Sequence, residues 1–555
     1  MNDDQSIPLD ETFGAVDAWT EKPLLEKVFV KTKQSVQLTQ KNEYFLFGRR
    51  GSGKSAIAIE LQKFKENTYF STIQGEVQTY GTFLNSIEKL ESGTDEVKSK
   101  LDIETYATCL WIYYINVIFM NAILNESEIK EKFPNEYLKI DDYLSEKDLK
   151  YKEPGWLIYT IHLACLKKAG DNHDYNETLS FINHLINDHE YISLLELFPV
   201  LLQDKQLYVV FDSLDSYRIY SSYIKKTLKG IIKSITYLMG QRYHCRSSIK
   251  MLMPAEIYDE IADKAFAKVY DQSKFLRWHS GSLFLLLALR HLNFVNENRY
   301  IDENDFLNFK KYLDILRDGK KVGLKIFSEK DVREKYWYEN RFLPSKITNK
   351  YGVKEDTLAY ILRHTHRRPR DLIIIFKSIV SLAVQRNEMP FISESTIREG
   401  IHEESTLETI VNDLLSPYKD FYLGIADMAK TMFFGKPRVM TGDQLQKFSR
   451  SLYDLGKKMD DFERNNFISF LLRAGIVGYV KYQEIRDSNK MGFCPTYYEY
   501  LMQGNLPFSK DLTYYIHPAV GDILDMIDTP EYGVAYPIPR DSRELEFETN
   551  IGIPV

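Results

Sequence analysis

Eight consecutive residues, Gly48-Arg-Arg-Gly-Ser-Gly-Lys-Ser55, carry the sharpest chemical signal in the chain. Glycines at 48, 51 and 53 let a backbone curl so that successive N–H groups point inward, a geometry that holds phosphate oxygens. The spacing GxxxxGK[ST] is that of a phosphate-binding loop. In such a loop Lys54 reaches the β- and γ-phosphates of a nucleotide, and Ser55 places its hydroxyl on Mg²⁺. Gly48, Arg50, Gly51, Ser52, Gly53, Lys54, Ser55 and Ala56 are therefore the expected nucleotide contacts. A helix starting near Lys54 adds the positive end of its dipole.

A second signal is Leu207-Tyr-Val-Val-Phe-Asp212-Ser-Leu-Asp215. A buried strand that ends in Asp is the second metal-binding element of these loops, so Asp212 is expected to hold Mg²⁺ opposite Ser55. Asp215 has two readings: it orients the attacking water, or it caps a helix. Ser213, rather than Glu, follows Asp212, which leaves slow hydrolysis or a nucleotide-held switch open. The third signal is Arg367-Arg-Pro-Arg-Asp371 at the start of an apolar helix, Asp371–Val384. Pro369 suits a first helical turn, and Arg370 has two readings: it reaches a γ-phosphate by a bidentate charge-assisted contact, or it is surface charge at a helix start.

Other constellations read as structural. His162, His173, His184 and His189 have no Cys or regular carboxylate partner, and His364 and His366 beside the arginines are expected to be solvated. Arg242 and Arg246 are candidates for an arginine finger supplied to a neighbouring subunit. No GxSxG elbow is present.

These residues need elements to hold them. Tyr44–Phe47 is a short apolar strand before the glycine-rich turn, and Ser55–Leu61 is a helical pattern after it. Leu207–Phe211 and Ser248–Met253 are further apolar strands, separated by a helical stretch, Tyr223–Met239. Short apolar runs between helices predict a parallel sheet buried on both faces. The helical block from about Tyr80 to Pro199 is too long for a crossover and reads as an inserted subdomain.

At 555 residues the chain exceeds one compact domain, and 44% hydrophobic with 27% charged residues is a globular balance. A net charge of −7 excludes a basic nucleic-acid coat over the whole surface. Cys109, Cys165, Cys245 and Cys494 are widely spaced, which predicts reduced thiols and a cytoplasmic protein. Thr105–Leu124 has no charge over a bilayer-spanning length, but Asn116 and Asn121 interrupt it and Glu104, Glu126 and Glu128 flank it. A helix buried in protein, with no membrane partner, is the expectation.

FGRRGSGKS, VVFDSLD, Phe275-Leu-Arg-Trp278 before Leu283–Arg290, RRPRDLI and a tail containing YYIHP together resemble bacterial P-loop ATPases. The resemblance is to the STAND and origin-recognition-type branches of the AAA+ class, of the kind found in phage defence. It implies an α/β P-loop NTPase core, a helical lid and a C-terminal winged helix. The corresponding domains are a lead at 1–40, a core at 41–300 with the helical insert at about 80–200, a lid at 301–415, a winged-helix-like domain at 416–528 and an extended tail at 529–555. By the same resemblance Arg370 matches the second sensor arginine, whereas Met253-Pro254 occupies the place where a polar first sensor is common.

The function implied is a slow or regulated ATPase that binds ATP and Mg²⁺ and controls an effector or signalling protein partner. A homo-oligomer stays open. The alternative is an ATP-controlled initiator or loader that grips DNA through the winged helix. Lys457, Lys458, Arg464 and Arg473 lie there among Asp454, Asp460, Asp461 and Glu463, a charge mixture that suits a protein contact at least as well as DNA.

Overall fold

The computed structural model describes residues 9–15, 17–61, 68–74, 82–88, 102–169, 175–203, 205–212, 222–258, 272–318, 342–416, 424–454, 456–480, 493–499, 506 and 508–538. The chain divides into two compact units. A sheet unit comprises Lys33–Arg50 and Ile57–Leu276; a C-terminal unit comprises Met1–Thr32, Gly51–Ala56 and Arg277–Val555.

The sheet unit is organised on strands β1 (Phe45–Gly48), β2 (Thr68–Gln74), β3 (Gln206–Asp212), β4 (Ser247–Pro254) and β5 (Ser273–Phe275). All neighbours are parallel, in the order β2-β3-β4-β1-β5. β1 and β4 are buried throughout and β3 at all but its first residue, as expected of parallel strands covered on both faces. Helix α1 (Lys54–Leu61) follows β1. Helices α2 (Ile103–Leu124), α3 (Pro154–Ala169) and α4 (Tyr175–Asn187) lie between β2 and β3 in the chain, and α5 (Ser222–Met239) joins β3 to β4. A parallel sheet flanked by helices is the architecture of an α/β P-loop NTPase. The long helical block thus starts after β2, an edge strand. Its Thr68–Thr72 side chains are half-buried, so it lacks the continuous apolar run that marks the central strands.

Helix α2 explains the uncharged segment. Only Glu104, Thr105, Thr108 and Asn121 escape full burial, and 89% of its most apolar window is covered by protein. Its polar interruptions are satisfied internally. The Asn116 amide donates to Tyr191 Oη at 2.7 Å, and its carbonyl oxygen lies 2.8 Å from His244 Nε2. Asp102 caps the helix by accepting from the Thr105 amide. α5 packs so closely on α2 that a Cβ at Gly230 would meet Ala107 Cβ at 2.7 Å and the Thr108 amide nitrogen at 2.9 Å.

The C-terminal unit gathers α6 (Ser280–Glu297), a hairpin of β6 (Lys346–Thr348) and β7 (Lys354–Asp356), and helices α7 (Thr357–Leu362), α8 (Pro369–Gln385), α9 (Glu394–Ile401) and α10 (Glu404–Leu415). Their apolar faces share one core with Phe13, whose ring stacks on Phe376 at 5.6 Å. Then follow α11 (Ile425–Phe433), β8 (Val439–Thr441), α12 (Gly442–Phe448), the two-residue strands β9 (Tyr453–Asp454) and β10 (Lys457–Lys458), and α13 (Asp461–Arg473). Strands β11 (Val477–Val480), β12 (Phe493–Tyr497) and β13 (Thr513–Ile516), helix α14 (Pro518–Ile523) and strand β14 (Val534–Pro537) complete the described chain.

The second sheet has the order β14-β12-β11-β13-β8. Where the sequence shows two strands, five pair. The expected extended tail instead opens with a 3-10 turn, Pro530–Tyr532, and then forms an edge strand, β14, parallel to β12. Proline in both β12 (Pro495) and β14 (Pro537) hides them from a strand reading.

Candidate nucleotide site

The phosphate-loop sequence folds as strand, turn and helix. β1 ends at Gly48, and α1 starts at Lys54. Between them Gly51 has φ +76° and Gly53 φ +91°, backbone conformations that favour glycine. Gly48 does not need this freedom, because it pairs with Pro254 as the last residue of β1. The sequence argument for three turn glycines therefore reduces to two. Ser52 and Lys54 are buried, and Arg50, Gly51, Gly53, Ser55 and Ala56 are partly exposed. The Ser52 hydroxyl is buried with no hydrogen-bond partner among the described residues. Alternating left-handed glycines, an orphaned buried hydroxyl and a helix N-terminus make a donor set that suits a phosphate.

Asp212 closes β3 and is buried. β4 lies between β3 and β1, with Phe211 opposite Met251 and Gly48 opposite Pro254. The carboxyl ends of β1 and β3 therefore lie on the same edge of the sheet, two strand spacings or about 10 Å apart. Asp215 and Ser213 lie outside the described residues. Glu256, just past β4, was not singled out by the sequence. Its Oε1 accepts from the Arg50 amide at 3.3 Å, so a carboxylate sits on one of the loop's own N–H groups. Its Oε2 is buried with no hydrogen-bond partner among the described residues.

Within the C-terminal unit, the loop tip Gly51–Ala56 is gripped from its carbonyl side. The Arg370 amide donates to Gly51 O at 3.3 Å, and Trp278 Nε1 donates to Ser52 O at 2.7 Å. A Cβ on Gly51 would meet Arg370 Cβ at 2.9 Å. One on Gly53 would face the Trp278 ring at 3.7 Å and Pro369 at 3.9 Å. Trp278 was visible in the sequence only as part of an element; its bond to the loop depends on tertiary packing.

The Arg367–Asp371 run is sorted by this packing. Pro369 opens α8, as its position predicts. Arg368 turns inward, bonding Asp371 through Nε at 3.1 Å and through a terminal nitrogen at 2.5 Å. Burial alone would raise the Asp371 carboxyl; Arg368 and His366 outweigh it and hold the group below the usual carboxylate range. Arg370 instead donates one terminal nitrogen to Asp413 Oδ1 at 2.8 Å, and Asp413 Oδ2 also accepts from Arg368 at 3.2 Å. His364 and His366 are buried, which corrects the expectation of solvated rings. His366 stacks on His517 at 4.0 Å between centroids.

The remaining candidates stand apart. Arg246 precedes β4, and Arg242 begins a short 3-10 helix at the same amino-terminal edge, the end of the sheet away from Gly48 and Asp212. His162 is buried on Tyr106 and Ser86, and burial lowers its pKa to about 3. His184 and His189 lie in α4 and at a helix start, and His173 is outside the described residues.

His364, His402 and Asp522 do approach one another, with ligand atoms within 4.8 Å. Arg363, however, bonds His364 Nε2 at 3.2 Å, and Arg438 bonds Asp522 at 2.6 Å. Two cations already serve that cluster, an unfavourable setting for a metal ion. In the α13 region Lys457 pairs with Glu463 at 3.7 Å, and Arg464 pairs with Asp461.

Residues 328–409 match the family described as the FunZ-associated C-terminal helical domain. That stretch includes α7 to α9, the Arg370 segment and the first half of α10. Among solved structures, the chain is similar to the ORC2 protein of Aeropyrum pernix, determined as ADPNP–ADP complexes. The identity is 10% and the TM-score 0.34, over 90% of this chain and 94% of that one. No curated protein matches the chain.

Proposed function

We propose that the protein is a Mg-ATP-binding switch ATPase of the AAA+ class, with slow hydrolysis, that controls a partner protein. The observation carrying this reading is the GRRGSGKS loop itself: a strand–turn–helix with two left-handed glycines, on the same sheet edge as Asp212. In this reading Lys54 and the loop amides hold the β- and γ-phosphates, while Ser55 and Asp212 hold Mg²⁺. The metal, when bound, would supply positive charge against the phosphate oxygens. Arg370 approaches from the lid, and Asp215 orients the attacking water.

The strand order β2-β3-β4-β1-β5 supports a core of this class, and a helical stretch that follows it supports a lid at 301–415. The succession α11-β8-α12-α13-β11, with β13 between β8 and β11, supports a winged helix near 416–528. Placement among STAND-like proteins of phage defence follows from the family resemblance, and placement in the cytoplasm from the widely spaced cysteines. The test is calorimetric ATP binding and phosphate release. Wild type is expected to bind and turn over, and both Lys54→Ala and Asp212→Ala to lose turnover. Unchanged turnover in either variant sinks the proposal.

The alternative, an ATP-controlled DNA-binding initiator, draws on the same helix–strand succession. Pairing of Lys457 and Arg464 with neighbouring acids favours a protein contact instead. Duplex DNA affinity that falls steeply with salt is the result that would reverse this preference.

A further inference from the structure

The Arg370 guanidinium is incompletely used. One terminal nitrogen bonds Asp413, while Nε is buried with no hydrogen-bond partner among the described residues. Its neighbour Arg368 differs: it is more deeply buried and grips Asp371 through two nitrogens. Asp413 belongs to α10, whose adjacent residues Glu408, Val411, Asn412 and Leu415 line a cavity of about 910 Å³. The far walls of that cavity come from α11 and from the α14 segment, including Lys430 and Asp522. One helix therefore carries, on different faces, the counter-ion of the loop-facing arginine and the wall of a cavity in the C-terminal unit.

We propose that Asp413 is a positioning residue. It holds Arg370 beside the phosphate loop until a terminal phosphate takes the guanidinium over, and α10, released at that residue, transmits the exchange to the cavity it lines. The inference rests on the reading of the loop as a nucleotide site.

The exchange is chemically reasonable. A partly solvated Arg–carboxylate pair contributes little, whereas a guanidinium on phosphate makes stronger, bidentate charge-assisted bonds. Asp413 keeps Arg368 as a partner after Arg370 leaves, so its charge is not stranded. A diphosphate lacks the terminal group and leaves the Arg370–Asp413 pair in place. The switch thus discriminates triphosphate from diphosphate.

The experiment is calorimetric binding of ADP and of a non-hydrolysable ATP analogue to the full chain. In Asp413→Asn, which frees Arg370, the analogue is expected to bind about 5- to 10-fold more tightly, with ADP within about 2-fold of wild type. In Arg370→Ala the analogue falls towards the ADP affinity, and adding Asp413→Asn changes nothing further, because the interaction is already absent.

An analogue-to-ADP ratio unchanged in Asp413→Asn, or shifted equally with and without Arg370, overturns the proposal. Hydrogen exchange over 404–415 gives a readout that does not need the Asp413 variant to fold. It is expected to rise with the analogue, not with ADP, and not in Arg370→Ala; equal exchange in both nucleotides overturns the relay. Failure of wild type to bind either nucleotide, or equal binding by Lys54→Ala, would instead remove the nucleotide-site reading beneath it.

Discussion

Two arginine networks in the C-terminal unit use the same side chains in different ways. Around Asp522 the network is closed. Arg438 bonds Asp522 at 2.6 Å and its Nε lies 2.9 Å from Asp528 as an ion pair, Asp522 also takes His402 at 3.0 Å, and the buried Arg363 pairs with Glu355. Burial alone would raise the Asp522 carboxyl, but His402 and Arg438 outweigh it and hold the group low. Beside the phosphate loop the network is open: among the described residues the Arg370 side chain bonds one carboxylate, that of Asp413, and its Nε has no hydrogen-bond partner. The lesson is that a cluster in which one arginine faces two carboxylates fixes tertiary structure, whereas an arginine that shares a single carboxylate can exchange partners. The first is a fastening and the second a sensor.

The largest expected effect tests the fastening. Arg438→Met leaves Asp522 and its neighbours short of a buried cation and is expected to cost about 3–5 kcal/mol, read by chemical denaturation. A loss below about 1 kcal/mol would show that the cluster is not closed in solution.

Acid gives the next effect. Burial first, then the nearby Arg363 and His402 charges, pushes His364 well below its ordinary pKa, against a smaller opposing pull from Asp522. The folded ring is thus neutral, and its stabilisation is complete above the unfolded pKa of about 6.5 and lost as pH falls beneath it. Between pH 7 and 5 this amounts to about 2 kcal/mol. His364→Asn is expected to flatten the stability–pH curve in that window, and an unaltered slope would contradict it.

Gly51→Ala comes third. Its φ of +76° strains an L-residue by about 1–2 kcal/mol, and the new Cβ would press on Arg370 at 2.9 Å. A lowered Tm, together with weaker ATP-analogue binding, is the expected pair of results.

The smallest effect sharpens the contrast. Arg370→Ala removes a partly solvated ion pair and is expected to change stability by less than about 1 kcal/mol. A loss comparable to that of Arg438→Met would make Arg370 another fastening and erase the difference between the networks.

What the sequence revealed was what local pattern encodes. A loop between an apolar strand and a helix, an apolar strand ending in Asp212 and a proline at the start of α8 are each legible within a dozen residues. β2 was missed because its half-buried positions break the apolar run, and β12 and β14 because proline disguises them. Glu256, Trp278 and Asp413 gain meaning only from partners brought together by folding: the Arg50 amide, the Ser52 carbonyl and Arg370. The histidines at 364 and 366 misled for the same reason. A polar, arginine-flanked stretch looks wet in one dimension and is enclosed in three.

The buried helix α2 has a consequence for how the polypeptide is made. Its packing partner α5 leaves the ribosome roughly a hundred residues later, which at 5–20 residues per second is on the order of 5–20 s. During that interval a bilayer-length greasy segment, already partly covered by α3 and α4, waits for the last of the surface that will cover it, with its tightest seat reserved by the missing side chain of Gly230. Biosynthesis of this fold should therefore lean on holdase chaperones, and slowing translation between the two helices should increase the fraction lost to aggregates.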